Sequence, residues 1–352
     1  MPLPMPETSS TPAGASHLRR PFAGLAIGCL LLGAVEAWLH SDDFLHRFRA
    51  VFAAGRAMDK ILTVTDHPPE LLVLGNSRVD NGIEPGVMEE TLTLDTFNLG
   101  VPGADACNLA GIVQRLDKAG VWGGKGVRQA LFGLDEGLFQ RTSGLGYAVY
   151  FDDRSTLLAQ GRIREWIGSW VLLYGYNDSL RTLQEPEKFL RFLRAFSGKV
   201  ESWGGSARET GGFRAADEVA NQASDGIGSQ TPTSAPPPPD KAKVACLAAS
   251  LDLLQQRGVQ IFAFPTPALD RPSLLSRHAP GWSKNHEAVR DLLSARSIAL
   301  VDPDFSHLRV ARNFANPGHL NRLGAGRYSR LLAETMDRTL RLAEHDQQST
   351  EP

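Results

Sequence analysis

Five short apolar runs alternate with helix-like segments along this chain, and this alternation limits the choice of folds more than any other feature. Each run is continuous and is closely followed by glycine, proline or polar turn residues, which predicts a buried strand. The predicted strands lie around 70–74, 96–100, 130–134, 259–264 and 298–301, and the predicted helices at 109–119, 186–196, 246–257 and 286–295. Such alternation predicts an α/β fold with a parallel central sheet covered on both faces. The ligand crevice of such a sheet lies beyond the carboxyl ends of the strands.

Composition excludes several classes of function. The net charge is −2 and no long cluster of lysine and arginine occurs, so nothing favours nucleic acid as a partner. No CxxC, HExxH or comparable cluster is present, so neither a metal nor another cofactor is expected. Of the three cysteines, Cys29 lies in an apolar run. Cys107 and Cys246 are expected to be two buried thiols, with a disulfide between them as the alternative.

The apolar segment 22–39 is about long enough to cross the core of a bilayer. Arginines at 19 and 20 precede it and aspartates at 42 and 43 follow it, which predicts a single transmembrane anchor with the N-terminus in the cytoplasm. A cleaved signal peptide is the main alternative, and a buried helix is a weaker one. Residues 1–21 are then a disordered cytoplasmic tail, because their N-terminal part is rich in Pro, Ser and Thr.

Beyond the anchor the sequence predicts a connecting helix at 40–68, one large domain at 69–342 and a short tail at 343–352. Apolar residues such as Phe44 and Phe48 recur at helical spacing in the connecting segment. Residues 203–243 are rich in Gly, Ser, Ala and Pro, a composition that buries too little apolar surface to offset the entropy of ordering. We therefore expect a disordered insertion there.

Polar residues that follow the predicted strands mark a candidate site. Ser77 comes directly after the first strand, where a helix N-terminus would favour negative charge. Asn98 and Gly103 belong to the second strand and its loop, and a glycine there lets a backbone N–H approach a ligand oxygen. Asp135 follows the third strand, and His319 precedes the C-terminal helix. Taken singly, each of these residues is as well explained by a turn, a helix cap or an exposed side chain.

Together these segments resemble the SGNH/GDSL hydrolase superfamily. The stretch "LGNSR" is similar to its first block, "NLGVPGA" to the second, "GLDE" loosely to the third, and "NPGHLNRLGAGRYS" to the last. The resemblance spans about 68–200 and 243–340 and implies a three-layer, flavodoxin-like fold. Within the superfamily, the anchored segment and the "GNSR" and "NGIEP" motifs resemble proteins that O-acetylate exported polysaccharides, such as the alginate acetylation proteins.

The resemblance implies roles for individual residues. Ser77 is the nucleophile and His319 the general base, and the N–H groups of Ser77 and Gly103 form part of an oxyanion hole. Asp135 stands where the family has an asparagine that donates to the oxyanion, and an ionised aspartate cannot donate. Asn316 stands where the family has the aspartate that orients the histidine.

Three further residues complete the predicted site. Asp302 and Asp304 are alternative acids that could steady the ring of His319. Arg78 is expected to bind an anionic polymer, with a surface salt bridge as its alternative, and Asn98 is the other predicted substrate-binding residue. Asn316 can accept the imidazole N–H through its carbonyl, but an amide does not balance the charge of an imidazolium.

The sequence thus favours an extracytoplasmic, anchored acyl-ester enzyme in a bacterial inner membrane. Its acyl-serine would be resolved by a polysaccharide hydroxyl or by water. The expected partners are a polysaccharide or acyl-ester substrate and a multi-span membrane acyltransferase. The alternatives are a catalytically weak relative that binds carbohydrate or serves as a scaffold in an export complex, and a plain anchored scaffold in which Ser77 and His319 are structural.

Overall fold

A computed structural model describes most of the chain. The described residues are 16–48, 51, 53–124, 126–140, 145–177, 181–198, 207–220, 237–270, 275 and 286–350. The predicted tail therefore lies outside the description over 1–15. The centre of the predicted insertion, 221–236, lies outside it as well.

A five-stranded parallel sheet forms the centre of the molecule, in the order β2-β1-β3-β4-β5. The strands are β1 (Leu71–Gly75), β2 (Thr96–Gly100), β3 (Gln129–Leu134), β4 (Gln260–Pro265) and β5 (Ala299–Leu300). All five predicted strands are confirmed: β2 has the predicted bounds, and no bound of the other four is shifted by more than one residue. This order is that of flavodoxin-like folds, in which the ligand crevice lies where the order reverses, between β1 and β3.

Helices cover both faces of the sheet, as expected for parallel strands. In chain order they are α1 (Ser16–Leu39), α2 (Asp42–Arg47), α3 (Ala53–Asp66), α4 (Ser77–Gly82), α5 (Pro85–Leu92), α6 (Ala106–Lys118), α7 (Glu136–Gln140), α8 (Leu145–Phe151), α9 (Arg154–Ala159), α10 (Ile163–Trp170), α11 (Leu172–Gly175), α12 (Pro186–Phe196), α13 (Lys241–Gln256), α14 (Glu287–Ser294) and α15 (Arg322–Thr350). A small antiparallel hairpin, β6 (Phe314–Asn316) and β7 (His319–Leu320), precedes α15.

Alternate residues of each strand enter two separate cores. Leu72 and Leu74 of β1 pack into the core that includes α6 and α13. Leu71 and Val73 pack on the opposite face, in the core that includes α5 and α15. Successive strand side chains point to opposite faces, so a strand buried on both sides must be apolar throughout. This requirement explains why the strands appear in the sequence as continuous apolar runs.

The N-terminal segment folds as α1, α2 and α3. Two helices, rather than the one predicted, connect α1 to the sheet, and both Phe44 and Phe48 are buried. Along the described residues, no helix combines the length and apolar character needed to cross a membrane.

Residues 207–220 correct the expectation of disorder in the insertion. Ala207, Phe213 and Ala220 are buried. The backbone is also held: Ala220 N donates to Phe314 O at 2.7 Å, and Arg322 N donates to Ala216 O at 2.7 Å. Although poor in large apolar residues, this segment is ordered by hydrogen bonds to elements that are distant in sequence.

Cys107 and Cys246 correct a second expectation, because they form a disulfide rather than two separate thiols. Cys107 lies in the first turn of α6 and Cys246 in the middle of α13, two helices that pack side by side on the sheet. The two cysteines are separated by 139 positions in the sequence, so no local pattern could predict that they are close.

Candidate active site

Ser77 is the first residue of α4, directly beyond the carboxyl end of β1. Two glycines allow this helix to approach the sheet so closely. A Cβ at Gly75 would lie 2.2 Å from Cγ2 of Val79, and one at Gly133 would lie 2.3 Å from the same atom. Asn76 caps the helix, since its Oδ1 accepts from Arg78 N at 2.9 Å. The packing of α4 thus holds the half-buried Ser77 at the rim of the sheet.

His319 reaches the same rim from the opposite end of the sequence. It is the first residue of β7, and the two-residue turn Pro317–Gly318 pairs it with Asn316 of β6. His319 Nε2 lies 2.8 Å from Ser77 Oγ, which is hydrogen-bond distance. The structure therefore brings together the predicted nucleophile and base, which are 242 residues apart.

Asn316 is the partner of the other ring nitrogen. Its Oδ1 lies 2.9 Å from His319 Nδ1 and also accepts from Gly318 N at 3.0 Å. Because a backbone N–H can only donate, the Gly318 contact identifies the Asn316 atom as oxygen rather than nitrogen. His319 Nδ1 then carries the proton, and Nε2 is left to accept from Ser77 Oγ. This is the tautomer that a serine–histidine pair requires.

The hairpin that carries His319 is held in place by a network of backbone contacts. Asn321 Nδ2 donates to Arg312 O at 2.9 Å, and Asn321 Oδ1 accepts from Gly324 N at the start of α15. Leu269 N donates to Pro317 O at 2.9 Å. Of the alternative acids, Asp304 accepts from Ser306 N and Asp302 is buried. The contact with Nδ1 belongs to Asn316.

Asp135 follows β3 and forms the floor of the site. Only 1% of its surface is exposed. Its Oδ1 accepts from Asn76 Nδ2 at 2.8 Å and from Leu138 N at 3.2 Å, and its Oδ2 accepts from Thr266 Oγ1 at 3.3 Å. Burial raises the pKa of this carboxyl, whereas the nearby charge of Arg78 opposes the shift. Asp135 thus ties together the chain segments that follow β1, β3 and β4.

Arg78 is held by Glu136 instead of facing solvent. Its two terminal nitrogens bind both carboxylate oxygens of Glu136, at 3.1 Å and 2.5 Å, and its Nε lies 3.9 Å from Asp135 Oδ2. Such a bidentate pair fixes the guanidinium plane. The geometry favours the salt-bridge interpretation of Arg78 over binding of an anionic polymer.

Asn98 is fully buried, and its side chain forms hydrogen bonds with backbone groups. Its Nδ2 donates to Val79 O at 2.8 Å and Ile83 O at 2.7 Å, so it is bonded to α4 and to the residue that ends that helix. Its Oδ1 accepts from Gly100 N. The side chain of Asn98 therefore supports α4, because its polar atoms are bonded to backbone groups.

Two backbone N–H groups, those of Gly103 and Ser77, were predicted to form an oxyanion hole. Gly103 lies in the loop after β2 with a φ of +82°, a conformation that favours glycine, and the space that a side chain would occupy there is open. Within the described part of the chain, neither Gly103 N nor Ser77 N donates to another group. These are the two groups expected to form the oxyanion hole.

A buried ionic cluster fixes the C-terminal half of α4, and no sequence motif predicted it. Asp80 Oδ1 accepts from Lys60 Nζ at 2.7 Å and lies 3.6 Å from Arg56, while Asp80 Oδ2 lies 3.0 Å from Arg214 Nε. Lys60 also donates to Gly100 O at 2.6 Å. Burial lowers the pKa of Lys60 to about 8, against the opposing effect of Asp80.

Sequence reasoning also missed Thr266 and the role of Asn76. Thr266 directly follows β4, the same position relative to a strand that drew attention to Ser77 and Asp135. Applying that rule to every strand would have found it. The contact of the Gly318 N–H with Asn316 could not be predicted in this way, since every residue except proline has a backbone N–H.

The chain matches no protein-family model and no curated protein.

Proposed function

We propose that this chain is an SGNH-type acyl-ester enzyme that forms an acyl-serine at Ser77. The observation that carries the proposal is the alignment of Ser77 Oγ, the His319 ring and Asn316 Oδ1 through contacts of 2.8 Å and 2.9 Å. The five-stranded parallel sheet and the position of Ser77 after β1 agree with the fold of the superfamily that the sequence resembles. The oxygen assignment at Asn316 adds support, because it supplies the histidine tautomer that the reaction needs.

In the first step, Ser77 Oγ attacks the carbonyl carbon of an acyl ester while His319 Nε2 takes the hydroxyl proton. The carbonyl electrons move to oxygen, and the N–H groups of Ser77 and Gly103 stabilise the resulting oxyanion. Collapse of this intermediate breaks the bond to the leaving alcohol, which takes the proton from His319. In the second step, His319 deprotonates an acceptor hydroxyl that attacks the acyl-serine and releases Ser77.

We propose a hydroxyl of an exported polysaccharide as the acceptor and acetyl as the acyl group, with hydrolysis by water as the competing outcome. A multi-span membrane acyltransferase would supply the acyl group from the other side of the membrane. These assignments rest on the resemblance to polysaccharide O-acetylation proteins. No role is assigned to Arg78 or Asn98 in binding the polymer, because both side chains are occupied by protein contacts.

We propose an extracytoplasmic domain held at the bacterial inner membrane by the N-terminal segment. Over residues 23–35 the described side chains of α1 are apolar or small, and nearly all are exposed. A helix that is apolar on every side requires an apolar environment. The disulfide between Cys107 and Cys246 supports a location outside the cytoplasm, since such bonds form and persist in oxidising compartments.

Asn316 favours a second candidate, a catalytically weak relative that binds carbohydrate. An amide orients His319 but does not neutralise the imidazolium that forms during attack. The exchange of the orienting aspartate for asparagine in a serine protease lowers turnover by about 10⁴. On this second proposal Ser77 would contact a sugar without forming a covalent intermediate.

Covalent labelling of the full chain with a fluorophosphonate probe distinguishes the two candidates. The enzyme proposal predicts a phosphonylated peptide that contains Ser77, with loss of labelling in Ser77→Ala and His319→Gln. His307→Gln is the matched control, because His307 is an exposed histidine outside the predicted site and its variant should retain labelling. Absence of a Ser77 adduct in folded wild-type protein, together with retained binding of an oligosaccharide, would instead establish the second candidate.

A further inference from the structure

The exposed apolar side chains outside α1 are concentrated on three helices, α10, α11 and α12. On the first two and the residue between them, the exposed set is Ile163, Ile167, Trp170, Val171 and Tyr174. On α12 the exposed set is Phe189, Leu190, Leu193 and Phe196. All nine are between 41% and 62% exposed. We call these nine residues the apolar face.

The apolar face surrounds the point where α1 joins the domain. Glu36, near the end of α1, accepts from the N–H groups of Leu172 and Leu173, so α11 is attached directly to α1. The ring of Trp38 lies 6.3 Å from that of Phe196, in an edge-on contact that attaches α12 to the same turn. Both halves of the apolar face therefore meet α1 within one helical turn.

The junction is also fixed to the interior of the domain. Leu39 is buried, and Tyr150 Oη donates to Leu39 O at 3.1 Å. Phe48 stacks on Phe192 of α12, with ring centroids 4.8 Å apart. Because these contacts hold α1 against the domain, any surface that receives the exposed side chains of α1 must also lie close to the apolar face.

We propose that the apolar face lies in the headgroup region of the phospholipid bilayer that holds α1. This inference rests on the proposed membrane attachment but not on the proposed acyl transfer. The chemistry of the apolar face fits such an interface. It contains Trp170 and Tyr174, residue types enriched at membrane–water boundaries. The guanidinium of Arg154 lies 3.9 Å from the centre of the Trp170 ring, which places a cation beside that aromatic side chain.

The sequence of α12 fits the same interpretation. Its apolar residues lie on one side, while Lys188, Arg191 and Arg194 occupy intervening positions on a helix of 11 residues. Helices that lie in the plane of a membrane surface combine Phe, Trp or Leu on one face with Lys and Arg on the other. Because the apolar face adjoins α1, the lipid that surrounds α1 would also cover the apolar face. Lipid is therefore the proposed occupant, and no protein partner is needed to explain the apolar surface.

Site-specific photocrosslinking in the full chain tests the inference. A photoreactive phenylalanine analogue would be placed at Leu190, at Trp170, or at Leu30 of α1 in separate proteins reconstituted in phospholipid vesicles. Leu323 is the matched control, since it is 48% exposed and lies on α15 instead. All replaced side chains are exposed, and circular dichroism would verify that each variant folds.

We expect phospholipid adducts at positions 30, 170 and 190 and none above background at 323. Adducts at position 30 alone would refute the inference while leaving the membrane attachment intact. Equal adducts at 190 and 323 would refute it as well, because lipid contact would then be nonspecific. Adducts with a second copy of the chain at 170 and 190, without lipid, would identify a protein interface and also refute it. Reaction of Ser77 is not measured, so failure of the acyl-transfer proposal would not change these outcomes.

Discussion

Asp135 and Asn316 occupy two positions at which the SGNH pattern that this sequence resembles has the opposite side chains, an amide at the first and a carboxylate at the second. The pattern has an amide after the third strand and a carboxylate three residues before the histidine, whereas this chain has the carboxylate first and the amide second. Asp135 is buried and accepts from three donors, while Asn316 is exposed and accepts from two. Both side chains therefore act as acceptors, and the positions differ in burial and in charge.

This difference shows that the two positions have different structural requirements. At the floor of the site three donors point at position 135: the Asn76 amide, a backbone N–H and a hydroxyl. The positive charge of Arg78 lies beside them, and a carboxylate can accept from all three donors while balancing that charge. The hairpin presents two N–H groups close to water, where an amide oxygen suffices for orientation. A negative charge at position 316 would matter only when His319 becomes positively charged.

Asp135→Ala has the largest expected effect on stability. The change leaves Asn76 Nδ2 and Leu138 N without their acceptor in a buried site. We expect a loss of about 3–5 kcal/mol in the free energy of unfolding, by analogy with breaking a buried pair. Asn316→Ala is the comparison variant, and its cost should stay within about 1 kcal/mol because the side chain is exposed. Urea unfolding followed by circular dichroism measures both, and equal losses would contradict the distinction between floor and hairpin.

Asn316→Asp has the largest expected effect on activity. A carboxylate at this position would stabilise the imidazolium that forms as Ser77 attacks. We expect hydrolysis of a p-nitrophenyl ester to rise by about tenfold or more, and the loss of about 10⁴ in the converse protease exchange sets the upper limit. The acidic limb of the pH–rate profile should move to higher pH, because the added charge favours the protonated ring.

Ala315→Asp controls for charge alone in the Asn316→Asp experiment. It introduces the same charge one residue earlier, at the irregular position of β6 between the residues paired with Leu320 and His319, which lacks the contact that Asn316 makes with His319 Nδ1. A comparable gain in both variants would show that the charge acts at a distance and not through the hydrogen bond to Nδ1. If both variants fold and neither hydrolyses the ester faster than wild type, the result would contradict the role of His319 as general base.

The sequence predicted the framework of this molecule better than its polar details. Strand positions follow from continuous apolar runs, because burial on both faces of a parallel sheet leaves no alternative composition. Ser77 and His319 were found because their flanking residues form recognisable motifs. The contact of Asp135 with Asn76 depends on side-chain directions at two strand ends, and no local pattern encodes it.

Arg78 and Asn98 illustrate the opposite outcome. Both residue types are typical of binding sites, and each lies in one of the motifs that resemble the superfamily. Their partners, Glu136 for Arg78 and the carbonyl groups of α4 for Asn98, come from packing that no spacing reveals. The order within 207–220 was likewise hidden, since its hydrogen bonds join segments about a hundred residues apart.

Asp135→Asn should have a smaller effect than Asp135→Ala, and one that depends on pH. The amide oxygen can keep the contacts with Asn76 and Leu138, so we expect a cost of about 1 kcal/mol near pH 4. The pKa of Asp135 lies above its ordinary 3.8 in the folded protein. The folded state therefore binds this proton more tightly than the unfolded chain does, and that contribution to stability is lost as the pH rises through the folded pKa.

Asparagine does not titrate, so the variant should gain stability relative to wild type from pH 4 upward. Thermal or urea unfolding at several pH values measures the difference between the two proteins. A constant difference across this range would mean that Arg78 and Asn76 offset the effect of burial on Asp135 completely.

Thr266→Val has the smallest expected effect, and it tests whether Asp135 or its surroundings define the floor. The contact from Thr266 Oγ1 to Asp135 Oδ2 is 3.3 Å long, so its loss should cost about 0.5–1 kcal/mol. Thr266→Ser retains the hydroxyl and serves as the control. In an Asp135→Asn background the amide nitrogen could donate to Thr266 Oγ1 instead, and a double-mutant cycle would then give a different coupling energy. If the coupling is unchanged, the hydroxyl does not distinguish carboxylate from amide, and the choice of aspartate at position 135 rests on Asn76, Leu138 and the charge of Arg78.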